Sequence, residues 1–264
     1  MNNALQGLHV LVTRPEHQAE HLCQLIEQQG GVTVRFPTIE IVAIDILPEN
    51  LTLATNPLLK LSNCRWLLFT SANAVNFALK ANGGKIAGFK VAQVGAIGQA
   101  TAKALQLAGL QVDLMPTTGF DSEALLAMPE LQQVNDQNIL IVRGQGGREE
   151  LANVLRSRGA NVDYWEVYRR VIPKIQNNAV FVLLEQDLLD VIIITSYEAL
   201  QNLMAMLEAD YHKKLVKIPL VVISDRISRL AAELGFMRIA VTESPADPAI
   251  LAATIAIINE DQSG

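Results

Sequence analysis

The sequence has few aromatic residues, two cysteines and four histidines among its 264 residues. The aromatic share of 5% is too low for a surface that stacks on single-stranded nucleic acid. The net charge of −6 argues against non-specific binding to the phosphate backbone. Cys23 and Cys64 form no CxxC pair, which favours a packing role in a reducing compartment. His17 and His21 are four residues apart, but the glutamate of an H-E-x-x-H motif is missing, so no metal site is expected.

Long hydrophobic runs and nucleotide-binding motifs are also missing. The apolar run Ile250–Ile258 is far too short to span a bilayer. The first residues have no basic region before an apolar core, so no signal peptide is expected and a cytoplasmic protein is predicted. The chain has no P-loop, and Gly144-x-Gly146-Gly147 is not a dinucleotide fingerprint because Glu149 holds the third glycine position. No cofactor is expected.

The segment Asn138–Val171 carries the strongest local pattern of the chain. An apolar run ends at a glycine-rich turn, a periodic segment ends at Gly159, and a second apolar run follows. This pattern predicts strand, turn, helix and strand. Backbone N–H groups of such a turn, at a helix N-terminus, suit an anion; an ordinary strand-to-helix connection is the alternative.

Apolar strands alternate with helices along the whole chain, which predicts a parallel α/β fold. A short strand is expected at Gln111–Met115, and a loop over Leu47–Asn63. The second half also repeats the first in order, which indicates an internal duplication and two similar α/β domains with a cleft between them. The matched segments are Leu8–Pro37 with Ile139–Tyr168, Leu67–Leu79 with Ile192–Met204, and Val91–Pro116 with Val221–Pro245.

Hydroxyls, glycines and two arginines follow the predicted strands. In open α/β sheets, ligands bind beyond the carboxyl ends of the strands. These residues are Thr13, Arg14, Thr70, Ser71, Gly98, Thr101, Arg143, Gly144, Thr195, Ser196 and Ser224. Each hydroxyl alone could be a helix N-cap. Together they predict a substrate-binding array of N–H and O–H donors for a ligand with several anionic groups.

Several stretches, in this order and spacing, resemble bacterial uroporphyrinogen-III synthases over nearly the whole chain. These stretches are V-T-R-P (12–15), F-P-T-I-E-I (36–41), F-T-S-A-N-A-V (69–75), G-Q-A-T-A (98–102), F-D-S-E-A-L-L (120–126), I-V-R-G-x-G-G-R-E-x-L (141–151), V-x-Y-x-E-V-Y-R-R (162–170) and I-T-S (194–196).

The resemblance implies two α/β domains joined by a two-stranded linker. By resemblance, residues 1–37 and 172–264 form the first domain and residues 43–167 the second. Residues 38–42 and 168–171 would be the linker strands. The duplication alone would instead divide the chain near Gln133.

The resemblance also implies a lyase that closes hydroxymethylbilane to uroporphyrinogen III in tetrapyrrole and heme biosynthesis, with loss of water and inversion of ring D. Such an enzyme needs no cofactor or metal. Its polycarboxylate substrate fits a donor-rich site on an acidic protein. Tyr168 is the expected catalytic acid, because it ends a strand at the implied crossing and no histidine or cysteine competes among the strand ends. A monomer with no nucleic-acid or membrane partner is expected.

Two other functions fit a two-domain α/β chain. One is a receptor that binds a small anion, a class that is usually exported and so argued against by the missing signal peptide. The other is a nucleotide-sugar transferase, which would need an intact diphosphate or ribose fingerprint.

Overall fold

The computed structural model describes residues 3–44, 61–85, 88–89, 92–119, 121–174 and 178–262. The chain divides into two compact units, one of Met1–Glu40 with Val171–Gly264 and the other of Ile41–Arg170. Each contains a five-stranded sheet with helices, as the α/β prediction requires. The predicted loop Leu47–Asn63 lies outside the described residues, except for a 3₁₀ turn at Leu61–Asn63.

The strands are short apart from two in the middle of the chain. In chain order they are β1 (His9–Val12), β2 (Val32–Arg35), β3 (Glu40–Ala43), β4 (Trp66–Phe69), β5 (Gln93–Ala96), β6 (Asn138–Gly144), β7 (Asn161–Val171), β8 (Val191–Ile194), β9 (Leu220–Val222) and β10 (Ile239–Val241).

Helices follow most of these strands. In chain order they are α1 (Glu16–Gln28), α2 (Ala72–Ala81), α3 (Gln99–Leu107), α4 (Ser122–Leu126), α5 (Glu150–Ser157), α6 (Asn178–Glu185), α7 (Tyr197–Met206), α8 (Ala209–Leu215), α9 (Asp225–Glu233) and α10 (Asp247–Gln262).

The two sheets have the strand order that the duplication predicts. The first sheet runs β10-β9-β8-β1-β2 and the second β3-β7-β6-β4-β5. If β1, β2, β8 and β9 correspond to β6, β7, β4 and β5, the orders are the same apart from β10 in the first sheet and β3 in the second. The pairs β1–β2, β1–β8, β8–β9, β4–β5, β4–β6 and β6–β7 are parallel.

The predicted strand Gln111–Met115 is reduced to one bridge. Leu114 pairs in parallel with Gly95 beyond β5, where β10 lies beside β9 in the other sheet. The prediction of a full strand there was therefore wrong, although its position at the sheet edge agrees with the duplication.

The second unit packs apolar residues on both faces of its sheet. Leu67 and Phe69 of β4 belong to one core, and Trp66 and Leu68 belong to another. Successive side chains of a strand point to opposite faces, so both faces of β4 are covered. This explains why the strand is apolar at every position.

The first unit buries one face of its sheet beneath α1 and α10. Leu22, Cys23 and Ile26 of α1 share a core with Val10 of β1 and Ile250 of α10. Cys23 is fully buried, as its predicted packing role requires.

The segment Asn138–Val171 forms the predicted strand, turn, helix and strand as β6, α5 and β7. Gly159 ends α5 with a positive φ of 86°, and a Cβ there would lie 2.2 Å from the Asn135 side chain. A residue other than glycine is therefore strained at this position.

Candidate active site

A cavity of about 520 Å³ opens at the carboxyl ends of β4, β5, β6 and β7 in the second unit. This is the edge of a parallel sheet where ligands bind. Polar groups from several strands converge on it. The lining residues are Thr70, Ser71, Ile97, Asp121, Ser122, Ile141, Arg143, Gly144, Gln145, Gly146, Gly147, Arg148, Leu151, Tyr164, Tyr168 and Arg170. Among the predicted site residues, Thr70, Ser71, Arg143, Gly144 and Tyr168 are thus brought together.

Ser71 and Tyr168 form a hydroxyl pair in this cavity, with Oγ and Oη 3.2 Å apart. Ser71 is also the N-cap of α2, and its Oγ accepts a hydrogen bond from the Ala74 N–H at 3.0 Å. The ring of Tyr168 is 5% exposed and packs against Phe77, with ring centroids 5.6 Å apart. The phenol is therefore held on its apolar side and presents its hydroxyl to the cavity.

Gly144 leaves room for the ring of Tyr168. A Cβ added at Gly144 would lie 2.5 Å from Cε2 and Cζ of that ring. The sequence predicts Gly144 as a member of the substrate-binding array. In the structure the group that approaches is the tyrosine.

A register shift between β6 and β7 determines the face of the sheet to which the Tyr168 side chain points. Arg143 pairs with Glu166 and Gly144 pairs with Tyr168, so Val167 is an additional residue in β7. Val167 and Tyr168 consequently join the same core, although they are neighbours in a strand. A β-bulge next to an active site commonly re-aims a side chain in this way.

Arg143 is buried at the end of β6 and uses its donors within the protein. Nε and Nη2 donate to the Glu166 carboxylate, Nη2 also donates to Glu149, and Nη1 donates to the carbonyl of Arg148. The guanidinium lies over the Tyr164 ring, 3.9 Å from its centroid. Tyr164 in turn donates a hydrogen bond to the second carboxylate oxygen of Glu149.

The charges of this cluster stabilise one another. Burial alone would lower the pKa of Arg143, but hydrogen bonds with Glu149 and Glu166 raise it above its ordinary value. Hydrogen bonds from Tyr164 and Arg143 lower the pKa of Glu149. Burial and the bond with Glu149 raise the pKa of Tyr164. These directions favour a charged Arg143, a charged Glu149 and a neutral Tyr164.

The glycine-rich turn is not the N-terminus of a helix, contrary to the expectation from the sequence. Gly144 belongs to β6, and α5 begins only at Glu150. Glu149 is the N-cap residue of α5 without a side-chain capping bond, and Glu150 lies in its first turn, where a carboxylate complements the positive end of the helix.

Gly98 and Thr101 lie beside the cavity lining without belonging to it. Gly98 precedes α3 in extended conformation. Thr101 is 3% exposed because it faces inward from α3. Neither is among the residues that line the cavity.

The predicted site residues of the first unit lie at the carboxyl ends of β1, β8 and β9. Thr13 is fully buried and donates to the carbonyl of Ile193 at 2.8 Å, which ties β1 to β8. Arg14 donates to Asp247 and to the Pro245 carbonyl, so it ties the end of β1 to the start of α10.

Thr195, Ser196 and Ser224 follow strands directly. Ser196 caps α7 by accepting from the Ala199 N–H at 3.0 Å, as its counterpart Ser71 does in the other unit. Ser224 precedes α9 without a side-chain capping bond. The capping role considered for each hydroxyl therefore holds for Ser71 and Ser196.

Comparison with known proteins decides the family. The family model described as uroporphyrinogen-III synthase HemD matches residues 20–252. The chain belongs to the uroporphyrinogen-III synthase family. It is 32% identical to the uroporphyrinogen-III synthase of Escherichia coli K12 over 93% of this chain and 99% of that protein. It is 34% identical to that of Salmonella typhimurium over 93% and 99% of the two chains.

Solved structures of uroporphyrinogen-III synthases have the same fold. A mutant of the Thermus thermophilus enzyme matches with a TM-score of 0.62 at 18% identity, over 96% of this chain and all of the other. The Helicobacter pylori enzyme matches with a TM-score of 0.61 at 16% identity, over 95% and 99%. At these identities the likeness concerns the fold alone.

Two negative findings complete the account of this family member. None of the described helices is long and apolar enough to cross a membrane. In the same part of the chain, no group of three or more histidine, cysteine, aspartate or glutamate residues is arranged to hold a metal ion.

Several cavity residues were missed from the sequence, namely Asp121, Ser122, Arg148, Tyr164 and Arg170. Two signals could have found some of them. Arg148 closes the R-G-x-G-G-R motif, and Tyr164 stands two residues before Glu166 in β7, where alternate residues share a face.

Proposed function

We propose that this chain catalyses the closure of hydroxymethylbilane to uroporphyrinogen III, with loss of water and inversion of ring D. The observation that carries this proposal is the match to uroporphyrinogen-III synthase relatives over 93% of the chain. The cavity at the strand ends of the second unit supports it, because hydroxyl, backbone and guanidinium donors converge there. Such donors suit a polycarboxylate substrate.

The proposed reaction begins with departure of the terminal hydroxyl of the bilane. The resulting azafulvene cation attacks ring D at its substituted carbon and gives a spiro intermediate. Fragmentation and re-closure then give the type III isomer, whereas closure without enzyme gives type I. The binding site must therefore hold the first and last rings in near-attack geometry. No redox change occurs, and we propose that the reaction needs no cofactor or metal.

Tyr168 is the proposed acid for the departing hydroxyl. Ser71 Oγ already accepts from the Ala74 N–H and can donate its own proton to Tyr168 Oη. The phenolic proton of Tyr168 is then free to point into the cavity. A phenol O–H can donate a hydrogen bond as negative charge builds on the leaving oxygen.

The remaining predicted residues complete the proposal. We propose substrate contacts from Thr70, Ser71 and Gly144 in this cavity, with Gly98 and Thr101 beside it. The strand-end groups of the first unit, Thr13, Arg14, Thr195, Ser196 and Ser224, are proposed as further contacts. The predicted cleft between two domains stays a prediction.

The predicted domains and surroundings of the enzyme are part of the same proposal. Residues 38–42 and 168–171 are proposed as the linker strands, supported by the division of the chain after Glu40 and Arg170. A cytoplasmic monomer is proposed, on the sequence-based arguments of two unpaired cysteines and an acidic chain.

The decisive experiment couples the protein to a source of hydroxymethylbilane and resolves the product isomers. Type III product in excess of the uncatalysed reaction is expected. Only type I product, at any protein concentration, would contradict the proposal. Thermal shift with nucleotides, sugars and polycarboxylate porphyrins would then identify which alternative class binds.

A further inference from the structure

Two arginines flank the glycine turn and line the same cavity in very different surroundings. The side chain of Arg143 is 7% exposed, whereas Arg148 is exposed. Both could attract a carboxylate of the substrate. Their partners decide which one can bind it.

Four of the five N–H groups of Arg143 already donate hydrogen bonds within the protein. Its guanidinium is bound to Glu149, to Glu166 and to the Arg148 carbonyl, and one face is covered by Tyr164. Two carboxylates already outnumber its single charge. A substrate carboxylate bound to this guanidinium would meet the negative charges of both Glu149 and Glu166.

Arg148 differs from Arg143 because its backbone is fixed by a hydrogen bond whereas its side chain has no partner among the described residues. Its backbone carbonyl accepts from Arg143 Nη1 at 3.2 Å, which fixes the turn from which the side chain projects. The guanidinium makes no hydrogen bond or ion pair with any residue in the described parts of the chain. Its neighbour Glu149 would be an obvious partner, but Arg143 and Tyr164 hold both oxygens of that carboxylate.

We propose that Arg148 binds a carboxylate of the substrate and that Arg143 is a positioning residue that acts through Arg148. The inference deepens the proposed function and rests on it for the polycarboxylate substrate. Arg143 fixes the Arg148 backbone and keeps Glu149 from neutralising the Arg148 charge. The planar guanidinium of Arg148 can then form two parallel hydrogen bonds to a carboxylate of the substrate.

The other charged residues of the cavity fit this role less well. Asp121 is an acid whose side chain caps α4 through the Ala124 N–H. Arg170 is exposed and lines the cavity, but it has an interaction of its own within the protein.

The first test compares Arg148→Gln and Arg148→Lys with Arg229→Gln, a control at an exposed arginine of α9 outside this cavity. Arg148→Gln should raise KM for hydroxymethylbilane about tenfold and change kcat less than about threefold, as loss of a charged contact formed equally in ground and transition states does. Arg148→Lys should recover part of the affinity, because it retains the charge without the fork. Arg229→Gln should match the wild type.

The second test asks whether Arg143 acts through Arg148. Arg143→Gln should also raise KM, and the double variant should bind no more weakly than Arg148→Gln alone. Such non-additivity is the signature of one residue acting through another. Additive effects would contradict the positioning role. If Arg143→Gln fails to fold, the Arg148 variants still decide the binding role.

Binding of a product-type polycarboxylate porphyrin, followed by fluorescence, separates this inference from the proposed function. A wild type that makes no type III product would contradict the function, and porphyrin binding would still test Arg148. A wild type that is active, with unchanged KM and porphyrin affinity in Arg148→Gln, would overturn the inference alone.

Discussion

At the scale of single residues, the position of Tyr168 depends on the absence of a side chain at Gly144. The tyrosine ring occupies the space in which any other residue at position 144 would place its Cβ. Overpacking of this kind costs about 1–3 kcal/mol when the neighbours cannot move freely. The two residues are therefore a coupled pair, and substitution of the glycine acts on the tyrosine.

Gly144→Val should lower both activity and stability. The side chain would collide with the Tyr168 ring, which is packed against Phe77 on its other side. We expect at least about a tenfold loss of kcat/KM and a free energy of unfolding lower by about 1–3 kcal/mol. Gly88→Ala is the matched control, because a Cβ there would make only an ordinary contact and Gly88 does not line the cavity. Equal activity and stability in Gly144→Val would mean that the ring moves away at no cost.

Tyr168→Phe should preserve the fold and slow turnover by at least about tenfold, with product that is still mostly type III. The expected loss is at the low end for a general acid, because the bilane hydroxyl leaves readily. Tyr211→Phe removes a hydroxyl bonded to Glu185 in the other unit and should leave turnover unchanged. Turnover and isomer ratio are measured together. Unchanged turnover in Tyr168→Phe would mean that the hydroxyl has no catalytic role and that the ring only packs.

At the scale of elements, β7 combines a regular and an irregular part. Its regular part could be predicted: Trp165 and Val167 alternate into one core, while Tyr164 packs towards the other. The additional residue opposite Arg143 and Gly144 could not, because a bulge is set by pairing with β6 and leaves no local pattern. Strict alternation would have placed Tyr168 on the face of Tyr164.

The tie between β1 and α10 is an electrostatic one. Asp247 accepts hydrogen bonds from Arg14 and His21 at the start of α10. Burial alone would raise the pKa of Asp247, but the bonds from His21 and Arg14 lower it below its ordinary value. A carboxyl whose pKa is lower in the folded state than in the unfolded state stabilises the fold above its unfolded pKa.

Asp247→Asn should therefore destabilise the protein near neutral pH and less so in acid. The unfolded pKa of aspartate is about 3.9, so the contribution is complete well above that value and is lost as pH falls through the lower folded pKa. Urea unfolding of both proteins from neutral pH down to about pH 3 measures the difference. A stability gap that does not narrow at acidic pH would contradict this account of the tie.

At the scale of the whole molecule, we expect this acidic chain to bind its proposed polycarboxylate substrate mainly through short-range donors. The net charge is −6, and the cavity presents hydroxyl and backbone groups with few exposed cations. We expect product affinity to fall by less than about tenfold between about 50 and 200 mM salt, since dipolar donors are screened less than exposed charges. The remaining dependence should disappear in Arg148→Gln. A steep loss in the wild type would indicate a site lined by unpaired cations.

Much of the fold could be predicted because parallel strands and their helices leave strong local patterns. The apolar runs of β4, β6 and β8, the end of α5 at Gly159 and the internal duplication all follow from the sequence. The different surroundings of Arg143 and Arg148, on which their proposed roles rest, could not be predicted. The burial of Arg143 depends on Glu166 of a neighbouring strand, and only the paired register brings these two residues together.

The strand order of the first sheet has a consequence for synthesis on the ribosome. β1 lies between β2 and β8, and its residue Val10 pairs with Val191. The strands β3 to β7 therefore leave the ribosome, and can form their own sheet, before β8 exists. Throughout that time β1 and α1, with their apolar residues, have no complete sheet on which to pack. Closure of such a distant contact is slow, and exposed apolar segments aggregate meanwhile. The nascent chain should therefore need a chaperone over the segment Met1–Glu40. A stalled chain that ends near Arg170 should contain one folded unit preceded by an unfolded, aggregation-prone N-terminal segment.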